Sequence, residues 1–316
     1  MINNCEKNDT TILNNLSNLQ MNKSSQNIEP VYNKEYIKDS ESLFVMTDKK
    51  SHEFYNFPKY YDKAFTRDIR TDINFFEKCF QQYSDIKVKK VLEPACGPGM
   101  FLEALPQYGY YGLGYDLNPA MVNYSIERLN KAGLTVNQAN AIVGNMKNVE
   151  FNDEFDAAFI CINSLGYLRD GEDINSHFKA MRKSIRKGGL YIVEISCKCD
   201  DLRNEKKFDD TWSIKENDLD LELTWVINWY DLEHRIRHVD FRMIVIENGK
   251  KTVLEESHEL RLWLFDEFKN FAESNGFKLI AIYNQNYDLI SENTPITGEL
   301  GALFFVLKNI KEVNNN

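Results

Sequence analysis

Residues 91–118, VLEPACGPGMFLEALPQYGYYGLGYDLN, constrain the fold more than any other stretch of this chain. An apolar run stops at Pro94, and a Gly97-Pro98-Gly99 turn follows. A helix-like segment then runs from about Met100 to Tyr108, and a second apolar run ends in Asp116. Glycine allows both a sharp turn and the close approach of a ligand, because it lacks a Cβ. The helix that follows points its free N–H groups and positive dipole end at the turn, a setting for an anionic or carboxylate group. Asp116, about 17 residues beyond Gly99, falls where an acidic side chain accepts hydrogen bonds from both ribose hydroxyls. The first expectation is therefore a nucleoside-binding crossover.

The same alternation continues on both sides. DINFFEKCFQQY reads as an amphipathic helix and KKVLEPA as a buried strand. YGLGYD, a stretch near TVNQANA, FDAAFICI and LYIVEIS read as further strands. Between them lie the helix PAMVNYSIERLNKAG, with Pro119 in its first turn, and the helix INSHFKAMRKSIRKGG, stopped by its glycines. Strands alternating with helices predict an α/β fold, a parallel sheet covered on both faces, with ligands at the carboxyl ends of the strands.

Beyond Ser196 the period changes to two. TWSIKEN, LDLELTWVINWYDL, HRIRHVDFRMIVIENGKK and TVLEESHELRLW are joined by short turns, with Asn248-Gly249 as a hairpin signal. An antiparallel meander is thus inserted into the parallel fold. The helix DEFKNFAESNG and the strands FKLIAIYN and GALFFVLKN close the chain. The expected organisation is a disordered polar tail over 1–50, the ligand-binding core over 51–196, an insert over 197–263 that shapes the substrate site or an oligomer contact, and the rest of the core over 264–310. Long meander strands leave edges that need covering, and a homodimer is one remedy.

Charge and composition exclude other classes. The net charge is −10, and no lysine or arginine block offers the basic face that nucleic acid requires. No stretch is long and apolar enough to span a bilayer, and no signal or transit peptide is evident, so a cytoplasmic protein without a membrane partner is expected. The six cysteines form no even ladder. Cys197 and Cys199 lack the second pair that zinc sites use, so neither a disulfide framework nor a metal site is expected.

Nicotinamide dehydrogenases share the strand-turn-helix plan, but their third glycine falls here on Leu102. The fuller set, Glu93, G-x-G, Asp116 and Asn-Pro-Ala-Met, resembles instead the class I S-adenosylmethionine-dependent methyltransferases. VLEPACGPG is similar to their first motif, GLGYDLNPAMV to the acidic strand tip and following helix, AIVGNMKNVEF to the adenine-flanking element, and FDAAFICINSLGYL to the fourth strand and its loop. The resemblance runs from about Tyr60 to Asn309. It implies a Rossmann-like sheet of seven strands, the last antiparallel, with the meander between strands five and six.

The resemblance also implies the cofactor, S-adenosyl-L-methionine, leaving as S-adenosyl-L-homocysteine, and a set of residues to hold it. Glu93 would take the methionine ammonium, and Asp116 the ribose hydroxyls. Leu117 and Met121 would pack on the adenine, with Asn145 and Met146 along its edge. Ala95, Gly97 and Gly99 would form the turn beneath the methionine portion, and Cys161 would sit at the lip of the fourth strand. Two departures stand out: Ala95 replaces the first glycine of the turn, and Asn145 an aspartate.

YYDKAF, residues 60–65, resembles a Tyr-Asp segment preceding the first helix in small-molecule N-methyltransferases acting on amino sugars and related amines, where it lies over the methyl group. Tyr61 would orient the acceptor and Phe65 would wall its pocket. Tyr167 and Asn163, in the loop after strand four, fall on the acceptor side, and Tyr167 stands where some relatives carry a histidine. A tyrosine is a poor base at neutral pH, so Tyr167 is read as a positioning group. Among five histidines, His258 is the candidate general base, and Arg261 on the same stretch is a candidate partner for an acidic substrate or, more commonly for such a residue, for a carboxylate on a neighbouring strand. His234 and His238 share a strand face without a helix to converge them on a metal. Trp225, Ile227 and Trp229 share one strand face as an aromatic stripe.

The function expected is methyl transfer to a small molecule, at nitrogen rather than oxygen. The alternatives are a protein or peptide side chain as acceptor, a nicotinamide oxidoreductase, and a non-catalytic cofactor-binding module.

Overall fold

The computed structural model describes residues 54–198, 208–291, 294, 296 and 301–310. Its main sheet has seven strands: β1 (Lys90–Pro94), β2 (Tyr111–Asp116), β3 (Ala139–Val143), β4 (Phe155–Ile160), β5 (Ile185–Ile195), β12 (Phe277–Tyr283) and β13 (Leu303–Asn309). Their order is β12-β13-β5-β4-β1-β2-β3, and only β13 runs antiparallel to its neighbours. The parallel strands are apolar in successive residues, as they must be when both faces are buried. Along β5, Leu190 and Ile192 pack into one core, and Tyr191, Val193 and Ile195 into the other.

Helices cover both faces. α2 (Arg70–Tyr83), α3 (Met100–Ala104) and α4 (Pro119–Lys131) supply Phe76, Phe101, Leu102, Val122 and Leu129 to the first core. α5 (Gly171–Ser184) and α6 (Phe265–Ser274) supply Phe178, Met181, Phe268 and Ala272 to the second. The strand order reverses between β1 and β4, which opens a crevice at their carboxyl ends. No helix among the described residues is long and apolar enough to cross a membrane.

The second sheet is a meander of β7 (Phe208–Glu216), β8 (Leu219–Asp231), β9 (Ile236–Glu247) and β10 (Lys250–Arg261), lying in sequence between β5 and β12. Asn248 and Gly249 both take positive φ, 50° and 75°, the type I′ turn that matches strand twist. The insert departs and returns through one stalk, where β6 (Cys197–Lys198) pairs in parallel with β11 (Trp263–Leu264). A short helix, α1 (Pro58–Phe65), follows a 3₁₀ turn at Phe54–Asn56, and both pack on the meander's apolar face against Leu221, Leu223, Phe241 and Met243.

Three local readings need correction. INSHFKAMRKSIRKGG does not reach its glycines: α5 ends at Ser184, and Ile185–Gly189 already belongs to β5, with a register irregularity opposite Phe155–Ala157. A Cβ on Gly189 would lie 2.3 Å from the Asp156 carbonyl, so this glycine serves strand contact rather than helix termination. The strand expected near TVNQANA begins later, at Ala139. Finally, the Trp225–Ile227–Trp229 stripe is broken by a bulge between Ile227 and Trp229. Ile227 is buried opposite Val239, whereas Trp229 is turned to the outer face, 52% exposed, and stacks on His238 with ring centroids 3.4 Å apart.

Candidate active site

The turn after β1 is built from left-handed backbone. Ala95, Gly97 and Gly99 have φ of 54°, 51° and 77°. Ala95 occupies this region at a strain of about 1 kcal/mol, which a glycine would not incur. Each glycine has its own steric reason. A Cβ on Gly97 would meet nothing nearer than the Tyr61 ring at 4.0 Å, so this face opens on the cavity. A Cβ on Gly99 would fall 2.0 Å from Ser125 Oγ of α4. Gly99 therefore permits the close packing of α4 against the turn.

Asp116, at the tip of β2, fixes the turn from the neighbouring strand. Its Oδ2 accepts from Gly97 N at 2.9 Å and its Oδ1 from Asn118 N at 2.8 Å. Burial raises its pKa above the ordinary carboxylate range, and these two bonds oppose the rise. Glu93, on β1, is 5% exposed, and its Oε2 has no hydrogen-bond partner among the described residues. Burial, reinforced by the charge of Asp116, raises its pKa well above normal. Two carboxylates held out of water side by side favour a cation between them.

The cavity at these strand tips is lined by Tyr61, Asp62, Phe65, Glu93, Gly97 and Cys161, among others. α1 forms its roof. The Tyr61 and Phe65 rings lie 4.7 Å apart, and Asp62, buried, accepts from Tyr124 at 2.9 Å and from Arg128 at 2.6 Å. Arg128 also donates to the Pro98 carbonyl at 3.2 Å, tying roof and turn together. The other side of α1 reaches the meander through Lys59 with Glu247, Lys63 with Glu216, and Tyr60 donating to Glu247 at 3.0 Å. Burial raises the Cys161 thiol well above its usual pKa.

Behind the roof lies a buried polar chain. Tyr55 and Tyr167 share a hydroxyl contact of 2.6 Å, Tyr167 Oη lies 3.2 Å from His258 Nδ1, and His258 Nε2 lies 2.7 Å from Glu256 Oε1. His258 stacks on Trp225 at 5.8 Å and is 2% exposed. Burial raises the pKa of both phenols.

Residues 91–189 match the methyltransferase domain family. Residues 91–189 thus form a methyltransferase domain, and the fold around them is that of S-adenosylmethionine-dependent methyltransferases. Among curated relatives, the Bacillus subtilis protein YqeM is 23% identical over 225 residues, 71% of this chain and 85% of that protein. The dTDP-3-amino-3,4,6-trideoxy-alpha-D-glucopyranose N,N-dimethyltransferase of Streptomyces venezuelae is 26% identical over 108 residues, 34% of this chain and 43% of that enzyme. Among solved structures, an amino pentose methyltransferase from Micromonospora echinaspora shares the fold with a TM-score of 0.61 at 14% identity, covering 83% of this chain and 100% of that one.

S-adenosylmethionine is the cofactor of this methyltransferase, and the cavity suits its chemistry. The cofactor carries two cationic groups and a ribose diol. The orphaned, buried carboxylate of Glu93, the open face of Gly97 and the acidic strand tip at Asp116 match those needs in order along the crest.

Of the sequence candidates, the cavity gathers Tyr61, Phe65, Glu93, Ala95, Gly97 and Cys161. Leu117 is 68% exposed beside Asp116, and Met121 is buried on α4. Asn145 Oδ1 already accepts from Lys147 N at 3.0 Å, so the oxygen expected to face an adenine amine is engaged in its own turn. Met146 packs against the second core, its carbonyl held by His177 Nδ1 at 2.8 Å. Asn163 Oδ1 accepts from Ser196 N at 3.1 Å, and the residue is not among those lining the cavity. Arg261 is engaged with carboxylate and backbone neighbours. It donates to the Arg169 carbonyl and to Glu267, both at 2.6 Å, and lies 4.8 Å over the Trp263 ring. Tyr61 sits on α1 itself rather than ahead of the first helix.

Sequence reasoning passed over Asp62, Tyr55 and Glu256. Glu256 had a signal. In LEESHEL, Glu256 and His258 alternate with Leu254 and Leu260 on the buried face of β10, and two polar residues on an apolar strand face need partners.

Proposed function

We propose that this methyltransferase acts on a small molecule at an amine nitrogen, with an amino sugar as the acceptor class. The observation that carries the reading is the roof. α1 is tied to the turn and α4 through Asp62 and Arg128 and to the meander through Glu216 and Glu247, so the approach to the strand tips is enclosed. An enclosed approach suits a small acceptor better than an extended polypeptide. Two relatives of amino-sugar specificity by name support the acceptor class.

The cofactor, when bound, supplies an electrophilic methyl group on a sulfonium whose leaving group is neutral. In this reading Glu93 holds the methionine ammonium, and Asp116 the ribose hydroxyls. Ala95 and Gly97 pass beneath the methionine portion, Leu117 and Met121 flank the adenine, and Asn145 and Met146 border its edge. Tyr61 and Phe65 orient the acceptor and, with Phe101, keep water from the reacting line. The raised pKa of Cys161 keeps this lining thiol protonated, so it does not compete as a nucleophile.

The test is label transfer from methyl-labelled S-adenosylmethionine to a panel of amino-sugar nucleotides, simple amines, phenols, carboxylic acids and peptides. Label on an amine nitrogen is expected. Label on peptides alone would replace the reading with a protein methyltransferase.

A further inference from the structure

We infer that Ile162 sets the acceptor specificity. Held at the lip of the cavity by a strained backbone, it selects acceptors that carry hydrogen rather than hydroxyl next to the carbon bearing the methylated atom; the inference rests on the small-molecule reading above. Ile162 lines the same cavity as Glu93, Gly97 and Phe101, on the loop that follows β4. The strand order places β4 on the side of β1 away from β2. With the nucleoside along the tips of β1 and β2, the tip of β4 is left to the acceptor.

The backbone at this lip is under strain. Ile162 and Asn163 are both left-handed, with φ of 55° and 53°. Asparagine tolerates that region, whereas a β-branched side chain crowds its own backbone there. Ile162 is the one β-branched residue with positive φ among the described residues. Burial does little to offset the strain, since 36% of the residue stays exposed. Two hydrogen bonds to the end of β5 and the residue just past it hold the conformation: Glu194 Oε2 accepts from Ile162 N at 2.8 Å, and Ser196 N donates to Asn163 Oδ1 at 3.1 Å. A third closes the turn, Ser164 N donating to the Cys161 carbonyl at 3.1 Å. Strain that neighbouring groups maintain at a cavity lip points to function rather than to folding.

The Ile162 side chain offers only methyl and methylene groups, and its companions on the lining include Phe65, Met100 and Phe101. Two hydroxyls of the lining are already committed: Thr66 Oγ1 donates to Asp62 Oδ1 at 3.0 Å, and Ser164 Oγ to the Cys161 carbonyl at 2.8 Å. An acceptor hydroxyl laid on this lip gives up its water and gains no proton from either. Glu194 is a positioning residue, acting through the Ile162 backbone.

The test compares Ile162→Asn, Glu194→Ala and Glu194→Gln with the wild type, using labelled cofactor and matched acceptors. The pairs are amino-sugar nucleotides with and without a hydroxyl beside the amine-bearing carbon, 2-aminocyclohexanol with cyclohexylamine, catechol with phenol, and lactic with propionic acid. The wild type should favour the member without the added hydroxyl by about 10- to 100-fold in kcat/KM. Ile162→Asn should cut that preference about tenfold through the acceptor KM, with the KM for S-adenosylmethionine unchanged. Asparagine fits the left-handed backbone, so the melting temperature of this variant should equal or exceed that of the wild type. Glu194→Ala should reproduce the loss of preference, and Glu194→Gln, which keeps an accepting oxygen, should retain it. An unchanged preference in Ile162→Asn would overturn the inference, and so would a lowered melting temperature, the mark of a residue kept for packing. Label on phenols or acids in place of amines, with the preference lost in Ile162→Asn, would remove the amine reading alone. Label on peptides alone, or on no acceptor, would overturn both.

Discussion

Gly99 offers a quantitative test of how the turn is built. Adding a methyl group there forces a left-handed residue with φ of 77°, worth about 1 to 2 kcal/mol, and drives a Cβ to 2.0 Å from Ser125 Oγ and 2.9 Å from Ser125 Cβ. Overpacking of a buried contact adds about 1 to 3 kcal/mol, so Gly99→Ala should destabilise by about 3 kcal/mol. Ser125 is fully buried, and its Oγ lacks a hydrogen-bond partner among the described residues. Ser125→Ala alone should therefore stabilise by about 1 kcal/mol. The double variant should recover about 1 to 2 kcal/mol more than the sum of the two, since only the Oγ clash is relieved while the backbone strain and the Cβ contact persist. Urea unfolding of the four proteins measures the cycle. A Gly99→Ala protein as stable as wild type would refute the left-handed turn, and strict additivity would refute the contact with Ser125.

Two further outcomes follow from buried ionisable groups. Glu93, with a pKa raised by burial, weakens the unliganded fold progressively as pH rises above the unfolded value near 4.5. Glu93→Gln should then raise the melting temperature of the unliganded protein at pH 8 but not at pH 4, while cofactor affinity falls; a lowered melting temperature at pH 8 would count against it. His177 is fully buried between the Met146 carbonyl and the Tyr191 hydroxyl, and burial pushes its pKa down to about 4 from 6.5. Its contribution, on the order of 3 kcal/mol, should be complete above pH 6.5 and lost as pH falls from 6.5 through 4. Acid unfolding followed by circular dichroism should shift to lower pH in His177→Phe, and an unshifted midpoint would remove His177 as the sensitive group.

The parallel core was readable because each signal is local. A buried strand ending at Pro94, a helix opened by Pro119 and the NG hairpin at Asn248–Gly249 each declare themselves within a few residues. The crest of the site was readable for the same reason, since Glu93, Gly97 and Asp116 lie on consecutive elements in a fixed order. The polar chain behind the roof was not, because its groups come from distant stretches: Tyr55 meets Tyr167 across 112 residues, and Tyr167 meets His258 across 91. Such pairings follow from how α1 and the meander pack, which no spacing announces. Trp229 shows the same limit on a smaller scale, since one extra residue in β8 moved it to the opposite face. For Arg261 the sequence left open an acidic substrate or a neighbouring carboxylate, because a cation on a strand does not announce which partner, here Glu267 and the Arg169 carbonyl, lies beside it.

The central claim, a sulfonium nucleoside laid along the tips of β1 and β2, is tested most directly by calorimetric titration of S-adenosylmethionine into the wild-type protein and Asp116→Ala. The account predicts saturable binding by the wild type and affinity about 10- to 100-fold weaker in the variant, the cost of removing a charged hydrogen-bond partner worth about 1.5 to 3 kcal/mol. No binding by the wild type, or equal affinity in both, would contradict it.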